Sequence, residues 1–274
     1  MTSELAHVVN GVMNHYTEAE NKPRVACTRC QTGKCLDLPW IDKPICDTCW
    51  EKIEAQGKSQ SEAEEYTERR KLSGLPSGFW NARFADFKNI KNPYAEHQQD
   101  AARGIWHTVR AGGQGILLVG PPGTGKTHLL ACIANFILKV QPVVWLDLQQ
   151  LQFELGRSVF SKEKEPVEPF GKRLIRETNV VIIDDFSFDQ KPYDWLTGQI
   201  RGFFNDLVAQ GTDIKLYMST NNRFAEQLKD PVTGKIARDQ DLPSLLDIFG
   251  KATVSRLKQL TQPTPFIGPD RRLG

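Results

Sequence analysis

The stretch ILLVGPPGTGKTHLL, residues 116–130, restricts this chain more than any other. Four apolar residues run into glycine and proline, then a lysine and a threonine, then apolar residues again. Gly120, Gly125, Lys126 and Thr127 satisfy G-x-x-x-x-G-K-[ST], with an apolar strand pattern before the motif and a helical pattern after it. Glycines have no Cβ, so backbone N–H groups can turn inward around phosphate oxygens, and the following helix presents its positive end. Gly120, Pro121, Pro122, Gly123, Thr124, Gly125, Lys126, Thr127 and His128 are therefore expected to bind a nucleoside triphosphate. Lys126 would reach the β- and γ-phosphates and the Thr127 hydroxyl would ligate Mg2+. The alternative is a glycine-rich turn carrying an exposed lysine.

From Trp80 onward, short apolar runs alternate with amphipathic stretches, the pattern of a parallel sheet covered by helices, and the fold class is α/β. Strands are expected at Ile116–Val119, Val143–Asp147, Val180–Asp184 and Ile214–Ser219, with a weaker one near Pro265–Ile267. Near-continuous apolar runs suit strands buried on both faces.

Two of these strands end in polar residues. NVVIIDDF closes on Asp184 and Asp185. Beside a phosphate loop, Asp184 would hold Mg2+, directly or through water, and Asp185 would orient or deprotonate the attacking water. Aspartate is one methylene shorter than glutamate in that second place, so slow turnover is expected. IKLYMST ends at Thr220, Asn221 and Asn222. Asn221 is the candidate sensor of the γ-phosphate or its water; the competing reading is a turn, which asparagine also favours.

The succession GPPGTGKT, VVIIDD, STNN and VSRL resembles the AAA+ ATPases, and within them the DnaC/DnaI-type replicative helicase loaders and their IstB-type transposition relatives, over residues 75–272. The resemblance implies ATP bound at a subunit boundary, with an arginine from one protomer reaching the γ-phosphate held by the next. The matching position is Arg256, which would neutralise charge on the transferring phosphoryl group; the alternative is a plain surface arginine. The tail PTPFIGPDRRLG looks similar to the arginine-containing ends of the loaders, so Arg271 or Arg272 would contact nucleotide in cis, or else belong to a frayed basic terminus. Eighteen residues follow Arg256 in the 274-residue chain, too few for a full helical lid.

Five of the six cysteines fall between residues 27 and 49. Cys27/Cys30 and Cys46/Cys49 are two C-x2-C pairs separated by fifteen residues, a four-thiolate Zn2+ spacing. A segment this poor in apolar residues needs such a staple to fold. Cys35 either replaces one ligand or stays free, and Cys132 belongs to packing. With Lys34, Lys43 and Trp40 nearby, the module reads nucleic acid or grips a protein. DnaI-type loaders carry a similar zinc-containing module that engages the helicase, which favours the protein partner.

A formal charge of +2 on a chain that is 39% hydrophobic and 25% charged excludes any global polybasic mode, so basic surface must be local. Residues 150–178 mix Lys162, Lys164, Lys172 and Arg173 with Phe160 and Phe170, a composition suited to single-stranded DNA, although Glu163, Glu165 and Glu168 cancel much of the charge and favour a solvated face. No run is long enough for a membrane span and the start lacks signal-peptide character, so a cytoplasmic location and no membrane partner are expected.

These readings divide the chain into a zinc-binding module (1–52), a charged segment read as a solvated helix or tether (53–75) and an AAA+ domain (76–274). The expected function is an ATP-dependent helicase loader in DNA replication that binds ATP, Mg2+, single-stranded DNA and a hexameric replicative helicase, self-associates through its ATPase domain, and hydrolyses ATP slowly under DNA or partner stimulation. The rivals are an IstB-like ATPase assisting transposition, a small-molecule P-loop kinase, and a non-enzymatic zinc adaptor.

Overall fold

The computed structural model describes residues 24–36, 46, 48–49, 60–89, 91–160, 168–209, 213–224, 232 and 242–271. The amphipathic helix expected around Leu5 to Tyr16, and Trp40, Lys43, Lys162, Lys164 and Arg272, lie outside the described residues, as do the side chains of Lys34, Cys35 and Phe160.

Near the N-terminus, β1 (Arg24–Ala26) and β2 (Lys34–Leu36) form an antiparallel pair with Val25 opposite Cys35. Helix α1 (Gln60–Leu72) leads into the main body. There the order is α2 (Ala95–Arg110), β3 (Gly115–Val119), α3 (Lys126–Ile137), β4 (Val144–Asp147), α4 (Leu148–Phe160), α5 (Phe170–Glu177), β5 (Val180–Asp184), α6 (Asp194–Ala209), β6 (Lys215–Thr220), α7 (Leu245–Leu260) and β7 (Thr261–Pro265).

The five main strands are parallel, in the order β4-β5-β6-β3-β7. Side chains alternate across the pleat, and both faces are apolar. Leu117, Val119, Val181, Ile183, Leu216 and Met218 pack beneath α6 and α7, whereas Ile116, Leu118, Val180, Ile182 and Tyr217 pack against α3 and α2. Because β6 lies between β5 and β3, the polar ends of β5 and β6 and the loop after β3 converge at one edge.

The last strand lies at Thr261–Pro265, not at Pro265–Ile267 as expected from sequence. Alternating prolines disguise it. Phe266 N–H donates to Val119 C=O at 2.8 Å, so Gln262 and Thr264, in the same phase, face β3. Pro263 and Pro265 then turn their missing N–H outward, which an edge strand tolerates.

Gly115, in contrast, has no room for a side chain: a Cβ there would lie 2.1 Å from Leu216 C=O and 2.6 Å from Leu260 C=O. Gly115→Ala should lower unfolding stability by about 3 kcal/mol, the upper end for an overpacked core, as read by urea denaturation.

The charged segment ahead of the domain takes the helical alternative over α1 and docks by its last turn. Arg69 donates to Leu138 C=O at 2.8 Å and to Lys139 C=O at 3.0 Å, supplying partners at the end of α3 where helical carbonyls have none. Charge-rich composition does not reveal that these cations cap another helix.

Candidate nucleotide site and metal centre

Strand β3 stops at Val119 and the chain turns through Gly120–Gly125 into α3. Gly123 and Gly125 adopt positive φ (75° and 104°), conformations that side-chain-bearing residues rarely enter. A Cβ on Gly120 would meet Phe266 C=O at 2.1 Å. The turn is thus shaped for main-chain approach at the positive end of α3.

Lys126 is 6% exposed, which removes the exposed-lysine alternative. Its ammonium donates to Gly120 C=O (2.8 Å), Pro121 C=O (2.7 Å) and Asn221 Oδ1 (2.8 Å). Thr127 Oγ1 donates to Asp184 Oδ1 at 3.1 Å, and Ser219 Oγ donates to the same oxygen at 2.6 Å. Asp185 sits at φ 51°, the left-handed region; its N–H donates to Ser219 Oγ at 2.9 Å, while its Oδ1 accepts from Ser187 Oγ (2.8 Å) and Asn221 Nδ2 (3.0 Å). A non-glycine residue in that conformation is strain typical of functional sites, held here by one hydrogen bond to the Ser219 hydroxyl and two from Ser187 and Asn221. Lys126, Thr127, Asp184, Asp185 and Asn221 therefore form one connected cluster.

Asn221 and Asn222 have different surroundings. Asn221 bridges Lys126 and Asp185, whereas Asn222 is fully buried and spends its amide on Phe188 N–H, Phe188 C=O and Pro243 C=O. Asn222 thus shapes the loop, and Asn221 is left as the group able to read a ligand. Burial pushes the Asp184 carboxyl above the usual carboxylate range and the Asp185 charge adds to this, against the pull of the Ser219 and Thr127 hydroxyls. Such a carboxylate is costly without a cation. Asp184→Asn, whose Oδ1 still accepts both hydroxyls, should raise the thermal midpoint of the nucleotide-free protein while abolishing any further rise on adding Mg2+ and ATP; scanning fluorimetry reads both.

Other expected residues lie elsewhere. His128 is in the first turn of α3, with its imidazole 3.2 Å from Asp86 Oδ2 and edge-on to Phe79 and Phe87. Arg256 is on α7, bonded through Nε to Asn205 Oδ1 of α6 at 3.2 Å, and exposed. Arg271, rather than Arg272, is described at the phosphate loop: its N–H donates to Gly123 C=O (3.0 Å), its guanidinium donates to Gln98 Oε1 (2.8 Å), and it lies over Phe87. Sequence reasoning missed Gln98, which is fully buried and donates to Thr124 C=O (3.4 Å) and Ile267 C=O (3.3 Å). It also missed Ser219, although a hydroxyl one residue before the strand tip was a readable signal.

In residues 150–178 the described cations are largely engaged. Arg173 pairs with Glu154, Arg176 pairs with Glu168, and Phe170 is buried in a stack on Phe203. The described part of this element is mostly an acid–base-paired face, with Lys172 and Phe153 left exposed.

At the cysteine cluster, the Sγ atoms of Cys27, Cys30, Cys46 and Cys49 all lie within 4.8 Å of one another. Gly33 N–H donates to Cys30 Sγ (3.2 Å) and Cys46 N–H to Cys27 Sγ (3.4 Å). The Thr32 hydroxyl and Gly33 N–H pull the Cys30 thiol down to about 5, whereas sharing with Cys30 pushes Cys49 up to about 12. Four thiols this close cannot all ionise by themselves. A tetrahedral Zn2+ would relieve that repulsion, and the donor set fits it. Cys132 is buried among apolar side chains, as expected of packing.

The sequence matches the bacterial DnaA ATPase domain over residues 84–237, more than half of the chain. The chain belongs to this family. Individual DnaA-family proteins are more distant. The chromosomal replication initiator protein DnaA of Buchnera aphidicola subsp. Baizongia pistaciae is 33% identical over 73 residues, covering 27% of this chain and 16% of that protein. DnaA of Streptococcus agalactiae serotype Ia is 30% identical over 118 residues, covering 42% of this chain and 25% of that protein. The chain thus matches a quarter or less of the length of these two relatives. In three dimensions the DnaC helicase loader superposes with a TM-score of 0.51 at 20% identity, covering 70% of this chain and 99% of that one, which establishes a shared AAA+ fold. Among the described residues no helix is long and apolar enough to cross a membrane.

Proposed function

We propose that this DnaA-family chain is an ATP-dependent loader acting in DNA replication, which holds a hexameric replicative helicase through its four-cysteine module and contacts single-stranded DNA while its AAA+ domain cycles ATP. The observation that carries the reading is the cluster of Lys126, Thr127, Asp184, Asp185 and Asn221 at the edge of the parallel sheet. Lys126 would exchange its two carbonyl acceptors for β- and γ-phosphate oxygens. Thr127 Oγ1 and Asp184 would hold Mg2+, the ion that neutralises phosphate charge. Asp185, already held by Asn221 and Ser187, would orient the attacking water and accept its proton. Asn221 touches both Lys126 and Asp185, so it would link the state of the γ-phosphate to that of the water-activating carboxylate.

Exposed Arg256 supports an active site completed by a second protomer, which would make hydrolysis depend on assembly. The zinc module supports a protein grip, since four-cysteine units fold around metal without needing a nucleic-acid surface. Capture from solution with immobilised hexameric helicase in ATP, ADP and no nucleotide tests the whole reading: ATP-dependent retention is expected, and retention indifferent to nucleotide refutes a loader. Arg256→Ala should keep ATP binding but lower the hydrolysis rate by about 10^3-fold or more under assembly conditions, the range of a trans-acting arginine. Normal turnover by the variant would end the trans role.

A further inference from the structure

A second concave feature lies outside the nucleotide site. Residues from α1, from the stretch 80–87 that runs into the short turn at Phe84–Asn89, from α2, and from α3 and its C-terminal end enclose a groove of about 940 Å3. Its chemistry is unusual. Tyr66, Trp80, Phe84, Trp106 and Phe136 supply aromatic surface, and Arg70, Arg83, Arg103 and Lys139 supply positive charge, with no acidic side chain among the described lining residues. Two acids lie beside the lining: Asp100, on α2, pairs with Arg103 at 3.4 Å while both remain more than half exposed, and Asp86 accepts from Arg83 N–H at 2.9 Å and sits 3.2 Å from His128.

Two polar atoms of lining residues are buried and unpaired. Asn135, 7% exposed, spends Nδ2 on Phe79 C=O (2.9 Å) and Ala82 C=O (3.2 Å), and its Oδ1 accepts nothing. Arg70 lies over the rings of Tyr66 (4.3 Å) and Trp80 (5.2 Å), and its Nε is buried without a partner. Both atoms are sealed off by the surrounding packing, so what the groove offers a ligand is its rings and its cations. Trp106 meets Phe136 at 4.7 Å and Phe84 at 5.0 Å, a prearranged ring surface rather than a collapsed one.

We propose that this groove binds the bases of a single-stranded nucleic acid. A base offers a π face to the rings, while the phosphates meet Arg83, Arg103 and Lys139. A duplex cannot serve, because its bases are stacked and paired. A protein segment would have to be both acidic and aromatic-binding, whereas a single strand carries a phosphate and a ring at every unit. The proposal takes the identity of its ligand from the loader reading and supplies an aromatic platform beside its cations, whereas in residues 150–178 Arg157, Arg173 and Arg176 are paired with acids and Phe170 is buried.

The test uses the full chain without nucleotide and a fluorescein-labelled oligodeoxythymidine of about 16 nucleotides, the upper end of a single platform's site size. Anisotropy should rise on binding and tryptophan fluorescence should fall, through Trp80 and Trp106. The exposed-charge variant R83E/R103E should bind at least ten-fold more weakly and lower the slope of log K against log[salt] by about 1.4, two contacts at ~0.7 each. Trp106→Ala should weaken binding about ten-fold to a hundred-fold and remove most of the quench. The ATP-dependent thermal shift should stay unchanged in R83E/R103E, separating failure here from failure of the nucleotide site.

Binding by R83E/R103E equal to that of the unaltered protein overturns the proposal. So does equal affinity for a duplex or for an abasic strand of the same length. Saturable quenching by thymidine monophosphate with none by the strand makes the groove a mononucleotide pocket instead, and loss of helicase capture with strand binding intact makes it a protein-docking site. An unaltered protein that binds no strand refutes both this proposal and the DNA contact of the loader reading.

Discussion

Lys126→Ala is expected to eliminate nucleotide binding, and the size of the effect follows from where the ammonium sits. It is buried and donates to two loop carbonyls and Asn221 Oδ1, so it is the only side-chain cation placed inside the turn among the described residues, with the Arg271 guanidinium reaching the outside of Gly125. Alanine removes the charge facing the β- and γ-phosphates and leaves three acceptors without that donor. Ligand present at a hundred times its dissociation constant stabilises a fold by about 2.7 kcal/mol. For a domain of this size each kcal/mol is worth about 2–4 °C, so a midpoint shift of about 5–10 °C with Mg2+ and ATP should vanish in the variant. An undiminished shift would remove the nucleotide site from this cluster and the loader mechanism with it.

Cys46→Ser should strip the N-terminal module of its metal. Cys46 Sγ is 3.7 Å from Cys30 Sγ, and Gly33 packs so tightly against it that a Cβ there would lie 2.4 Å from Cys46 Sγ. A structural zinc in a small module is worth about 10–16 kcal/mol of coupled folding, far more than the three described core cysteines and Val25 can supply by burial. Elemental analysis should find one zinc per unaltered chain and almost none in the variant, and limited proteolysis should cut the module while sparing the ATPase core. Helicase capture should be lost and the ATP-dependent thermal shift retained, because the core has its own two apolar layers. Metal-free protein with an intact, protease-resistant module would show that the thiols are not a zinc site.

What the sequence determined by itself is what short-range chemistry controls. Gly123 and Gly125 at positive φ, Lys126 at the start of a helix, and thiols three positions apart in a turn are set within a few residues of chain, so spacing is enough to read them. The buried strands were legible because apolar runs on both faces leave no other fate, except for β7, whose edge position admits prolines at alternate places. Only the tertiary structure decided the rest. Placing β6 between β5 and β3 set Asn221 between Lys126 and Asp185 and brought Ser219 onto Asp184, thirty-five residues away. Packing of the tail joined Arg271 to Gln98 across 173 residues, and four separate segments built the aromatic groove. The reason is physical: a hydrogen bond or ring contact between distant residues depends on how whole elements bury their apolar faces, and one residue's identity carries little of that information.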